Sequence, residues 1–116
     1  NLDAAQSFTK AQRGAVVALT DASSIATDLS LGNNFSVTLG GNRTLANPSN
    51  LAAGQSGVIT ITQDGTGSRT LAYGSYFKFP GGTAPTLTTT ANAVDVLAYY
   101  VESSTRITAR LVADTK

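Results

Sequence analysis

The chain has 116 residues, enough for one domain with a packed core and too few for two. It has no Cys, His, Met or Trp, only 13% charged residues and a net charge of +1. This excludes a disulfide scaffold, a thiolate zinc site, a thiol nucleophile and histidine general-base chemistry, and it disfavours a strong electrostatic partner such as duplex DNA.

Residues 1–14, NLDAAQSFTKAQRG, are polar, with Leu2 and Phe8 as the only large apolar side chains. They are expected to form an extended arm or linker anchored by Leu2 and Phe8, and residues 15–116 a single domain. The chain begins at Asn1 rather than Met, so a piece of a longer protein is expected. No apolar run reaches the ~18 to 20 residues of a membrane span, and no basic start precedes an apolar stretch, so neither a membrane contact nor a signal peptide is expected.

From Ala15 the periodicity becomes that of strands. Ile25, Thr27, Leu29 and Leu31 recur every second residue, as do Phe35, Val37 and Leu39, each set predicting a strand with one buried face. Gly40-Gly41-Asn42 predicts a turn, Arg43–Ala46 a short strand, and Asn47-Pro48-Ser49-Asn50 a loop. Residues 57–63, GVITITQ, are rich in β-branched side chains. With 69–73 they are expected to form a hairpin in which Gln63 faces Arg69, Ile61 faces Leu71 and Ile59 faces Tyr73. Phe77 and Phe79 then share one face of a strand and Tyr76 and Lys78 the other. Residues 83–92 are Thr-rich and irregular.

The last quarter predicts a second hairpin, 93–102 with 105–113. Pairing Glu102 with Thr105 sets Val94, Val96, Ala98 and Tyr100 opposite Ala113, Leu111, Ala109 and Ile107, a continuous apolar face. The other face carries Asp95, Leu97, Tyr99 and Val101 opposite Val112, Arg110, Thr108 and Arg106, with Asp95 within diagonal reach of Arg110. Left exposed, such a mixed face marks contact with another chain. Leu97, Tyr99, Val101, Arg106, Arg110 and Val112 are therefore the candidate oligomer interface. Eight to ten short strands with regular turn signals predict an all-β fold, an antiparallel β-sandwich of jelly-roll-like type.

No constellation for catalysis emerges. The serines and threonines lack a base, there is no G-x-S-x-G elbow, and Asp64-Gly65-Thr66-Gly67 offers one acid where a calcium loop needs several. No catalytic residue, metal ligand or cofactor is expected, and the domain is not expected to be an enzyme. Two arginines on one strand do not make a nucleic-acid surface. The aromatic segment around Tyr73, Tyr76 and Lys78 supplies the candidate ligand contacts, since aromatic faces beside polar groups suit carbohydrate.

The segments NFSVTLGGNRTL (34–45), GQSG (54–57), QDGTGSRTL (63–71), FPGGTAPTL (79–87) and AVDVLAYYV (93–101) carry a family pattern. Over roughly residues 15–116 the chain resembles a recurrent C-terminal domain of virion proteins of tailed bacteriophages and prophages, of the tail fibre or minor structural type. LDAAQSFTKAQRG resembles the linker that joins such domains to upstream parts. The resemblance implies a β-rich terminal domain of a virion appendage, a fibre tip or knob. It also implies a homotrimer that contacts other virion proteins, made in the bacterial cytoplasm and carried on the particle; it names no ligand, and host-surface carbohydrate is the partner expected from the aromatic segment instead. It implies no catalytic residues. A capsid decoration or head-fibre protein docking through the arm is the alternative.

Overall fold

A computed structural model describes residues 15–116. Among the described residues nine strands run in chain order: β1 (Val16–Ala18), β2 (Ser24–Ile25), β3 (Asn34–Leu39), β4 (Arg43–Leu45), β5 (Ser56–Gln63), β6 (Leu71–Tyr73), β7 (Phe77–Lys78), β8 (Val94–Ser103) and β9 (Arg106–Val112). Two 3-10 turns, Leu29–Leu31 and Pro80–Gly82, interrupt them, and there is no α-helix among the described residues. The expected arm, with Leu2 and Phe8, lies outside the described residues.

The strands divide between two sheets. The larger has the order β1-β3-β5-β8-β9-β7 and the smaller β2-β4-β6. Through β6 the chain therefore alternates, laying one strand in the large sheet and the next in the small one. Each circuit adds a rung to both, so β1, β3 and β5 pair in parallel, as do β2, β4 and β6. This winding is that of short solenoid coils, in which each coil buries its apolar residues against its neighbours. The β8–β9 hairpin closes the large sheet antiparallel to β5, and β7 adds in parallel outside β9.

The all-β class is as expected, but the antiparallel pairing is corrected to a mixed one. Sequential strands of the coils do not form hairpins, because the corners at residues 19–23, 40–42 and 64–70 carry the chain from one sheet to the other. The expected 57–63/69–73 hairpin is thus absent: β5 pairs with β3 and β8, and β6 with β4. Gln63 does meet Arg69, through its side chain. Its Oε1 accepts from the Arg69 N–H at 3.0 Å and its Nε2 donates to the Arg69 carbonyl at 3.0 Å and the Thr88 carbonyl at 2.9 Å. A buried amide with all three bonds made costs little to bury and fixes both segments it touches.

One hydrophobic core lies between the sheets. Across the large sheet Val17, Phe35, Ile59, Leu97 and Leu111 stand in register on its inner face, and Ile25, Leu45 and Tyr73 form the matching row of the small sheet. The predicted alternation of β3 is observed, with Phe35, Val37 and Leu39 all buried. Each fully buried Ile, Leu or Phe contributes about 1.5–3 kcal/mol, and a one-residue slip would turn a whole row to solvent, so these rows pin the registers. The predicted strand through Leu31 stops early. Ile25, Thr27 and Leu29 are buried in alternation, but Asp28 accepts from the Ser30 N–H at 2.9 Å, starts the 3-10 turn and leaves Leu31 exposed.

Polar side chains tie coil to coil at the corners. Gln55 Nε2 donates to the carbonyls of Leu29 and Gly32 at 3.0 and 2.9 Å, and Asn50 Nδ2 donates to Asp28 Oδ1 at 2.9 Å. Gly57 stands opposite Tyr99, whose hydroxyl donates to the Asn33 carbonyl at 2.6 Å. A β-carbon at Gly57 would run into that same carbonyl, so glycine is required there for lack of space.

The C-terminal hairpin exists where expected, one residue out of register. An irregularity at Glu102, between Val101 and Ser103, sets Val96 opposite Val112, Leu97 opposite Leu111, Tyr99 opposite Ala109 and Val101 opposite Ile107. The one-residue shift turns the other side chains of β8 inward, while those of β9 keep their side. Leu97, Tyr99 and Val101 are inside, at 0%, 5% and 0% exposure, and Tyr100 and Val112 are outside, at 49% and 50%.

Candidate functional site

β6, β7 and the 3-10 turn after β7 build a cleft of about 750 Å3. The sequence shapes it locally. At the end of β6 the chain turns at Gly74, whose N–H donates to the Leu45 carbonyl at 2.8 Å. Asn47 stands under that turn, its Oδ1 accepting from the Tyr76 N–H at 2.8 Å and its Nδ2 donating to Ser75 Oγ at 3.2 Å. Gly74 lies so close to Asn47 that a side chain would not fit. β7 then pairs in parallel with the start of β9, Phe77 with Ile107 and Lys78 with Thr108, which brings Arg106 to the cleft beside Lys78. Gly81 and Gly82, at φ 69° and 77°, close the lip in a left-handed conformation that favours glycine.

The floor is aromatic. Tyr73 and Phe79 meet edge to face with ring centroids 4.7 Å apart, Tyr73 and Phe77 at 5.9 Å, and Phe77 and Phe79 stack at 6.4 Å with planes 13° apart. Such pairs hold the rings in fixed orientations. The Tyr73 hydroxyl is buried and has no hydrogen-bond partner among the described residues. Burial, with the charge of Asp95 adding to it, pushes its pKa up to about 12, so it is a neutral phenol at physiological pH. Lys78 and Arg106 line the cleft, and no carboxylate does.

Of the expected ligand contacts, Tyr73 and Lys78 line this cleft, whereas Tyr76 packs against the core and does not share a face with Lys78. The expected oligomer face is divided and must be corrected. Leu97, Tyr99 and Val101 are core residues, and Arg106, Arg110 and Val112 lie on the opposite, exposed face, because the Glu102 irregularity shifts the register. The same shift separates Asp95 from Arg110. Asp95 is 2% exposed and accepts from the backbone N–H groups of Thr88 and Asp114, both at 2.7 Å, fastening the 83–92 segment and the C-terminal tail to β8.

Most other carboxylates are held in structural bonds. Arg43 donates to Asp21 through Nε and Nη2 at 2.8 and 3.1 Å, and Arg69 to Asp64 at 3.2 and 2.8 Å. Arg106 Nε donates to Glu102 at 2.9 Å, and the Thr108 hydroxyl donates to the same oxygen. Arg43 holds the Asp21 carboxyl below its ordinary value, bonds from Ser30 and Asn50 do so for Asp28, and bonds from Thr108 and Arg106 for Glu102. Among the described residues no group of three or more His, Cys, Asp and Glu side chains converges on a point that could hold a metal ion.

The chain is thus an all-β domain of wound coils, with an aromatic, cationic cleft and carboxylates engaged in ion pairs and backbone bonds. A family model described as "Putative phage tail fibre C-terminal domain" matches residues 19–102, and the chain belongs to that family. Its place is therefore with the virion. Comparison with curated proteins and with solved structures finds no match.

Proposed function

We propose that this domain is the non-enzymatic tip or knob of a bacteriophage tail fibre. In this reading it assembles as a homotrimer through the outer face of the large sheet and meets host-surface glycan at the cleft beside β7. Membership of the tail fibre family carries the virion role. The homotrimer rests on the outer face. Val16, Tyr100 and Val112, three of the four large hydrophobic residues left exposed among the described residues, stand on it. Around them the strands present Ser36, Thr60 and Val96 in one row and Val58 and Ala98 in the next; Arg110, at the β9 end of that row, lies beyond the face buried between copies and lines a groove with Phe79. A broad apolar and threonine-rich face of this kind suits burial against copies of itself, and fibre domains of the resembled type are commonly threefold. The carboxylates support a structural role, since arginines, hydroxyls and backbone amides already occupy them. Its partners are then copies of itself, other virion proteins and carbohydrate.

Light scattering behind size exclusion tests the assembly. The parent chain should run at three times its monomer mass, and Tyr100→Asp with Val112→Asp should reduce it to one with an unchanged circular dichroism spectrum. A monomeric parent at micromolar concentration overturns the trimer and favours the decoration-protein alternative.

A further inference from the structure

We infer that the ligand of the cleft is an acidic saccharide, one carrying carboxylate or phosphate groups; this rests on the glycan reading and gives it a chemical class. The cleft's volume is in the range of small-molecule sites. Its aromatic floor suits the apolar face of a sugar ring, but the argument for acidity comes from charge.

Among the described residues the cations away from the turn at Phe79–Thr83 are matched. Arg43 and Arg69 are each clamped bidentately by an aspartate, and Lys116 reaches Asp114 at 3.3 Å. At the cleft the balance is broken. Lys78 has no carboxylate partner among the described residues, and Arg106 engages Glu102 through Nε alone, leaving both Nη groups without a bond among them. A guanidinium with its fork free and an ammonium beside it are suited to carboxylate or phosphate oxygens.

The imbalance continues past the rim. Phe79 also lines a second groove of about 200 Å3 with Pro80, Thr83 and Arg110, again without a carboxylate. Arg110, too, has no carboxylate partner among the described residues. Three cations thus flank the turn at Phe79–Thr83, two on one side and one on the other, and Phe79 is common to both grooves. A chain of sugars lying across Phe79 would place anionic groups on both sides of one ring. A neutral glycan would leave Lys78, Arg110 and the two Nη groups of Arg106 without an anion. A small inorganic anion would use one or two of them and none of the aromatic floor.

The full chain, in its solution assembly, is applied to a glycan array bearing uronate-, sialate- and phosphate-carrying saccharides beside their neutral counterparts, with inorganic phosphate as competitor. Signal should concentrate on the anionic saccharides. It should fall about tenfold or more in Lys78→Gln with Arg106→Gln, whose circular dichroism is unchanged, and fall again at high salt. Equal signal on the neutral counterparts overturns the acidic class and leaves the glycan reading standing. Signal on no saccharide overturns both. Complete competition by low concentrations of inorganic phosphate reduces the site to a simple anion site and overturns the saccharide assignment.

Discussion

Asp64 does three things with one carboxylate. It accepts from the N–H groups of Thr66 and Gly67 at 3.1 and 3.0 Å, takes both donors of Arg69, and so turns the chain from the large sheet toward the small one. These bonds, the Arg69 pair first, lower its pKa from 3.8 to about 2. A folded-state pKa below the unfolded one contributes stability that is complete above the unfolded value and is lost as pH falls through the folded one. Acid unfolding should therefore steepen between about pH 4 and pH 2, and Asp64→Asn should flatten that part of a stability–pH curve followed by urea denaturation. Asp21, Asp28 and Glu102 act in the same direction, so part of the slope should remain. The sequence pattern sets Gln63 opposite Arg69 as a cross-strand pair of a hairpin that does not form, and the two meet instead through the Gln63 amide and the Arg69 backbone. The role of Asp95 was not readable from the sequence, because its partners are backbone amides that no side-chain pattern announces.

At the scale of elements, β8 and β9 show what alternation can and cannot decide. Val94, Val96, Ala98 and Tyr100 form one apolar set and Leu97, Tyr99 and Val101 another, so either could face the core. The choice is made by the irregularity at Glu102, which shifts the pairing by one residue. That assignment has a direct test. Leu97→Ala should cost about 2–5 kcal/mol, as a cavity in a closed core does, whereas Tyr100→Ala in a Val112→Asp background, compared with Val112→Asp alone, should change stability by about 0.5 kcal/mol or less. Chemical denaturation of the two variants gives the comparison, and the reverse ranking would restore the other register. β3 was legible because its apolar residues fall on one side only. The coil corners were not, because Asp64–Ser68 has the composition of a hairpin loop, yet with Gly67 and Ser68 at φ 73° and 60° it leads the chain out of the sheet. The cleft was half legible, since Tyr73 and Lys78 are near in sequence, while Arg106 arrives only through the β7–β9 pairing.

On the scale of the molecule, nearly every strand pair outside the β8–β9 hairpin joins residues a full coil or more apart, as Val16 with Asn34 and Arg43 with Leu71. Chain closure of this kind precedes any gain from pairing, so refolding should take about milliseconds to seconds rather than microseconds, as stopped-flow fluorescence of the tyrosines would show. The winding also sets how the domain bears load. The chain enters on β1 at one edge of the large sheet, and the cleft lies by β7 at the other. In the proposed reading, a fibre pulled from the β1 side while the cleft holds its ligand stretches the sheet sideways, across five inter-strand steps of about 4.8 Å each. The force runs along the hydrogen bonds, and the ladders are loaded in series rather than sheared together. The weakest ladder then sets the strength of the whole, and the short pairings at the two edges, β1 with β3 and β7 with β9, are where the domain would yield first.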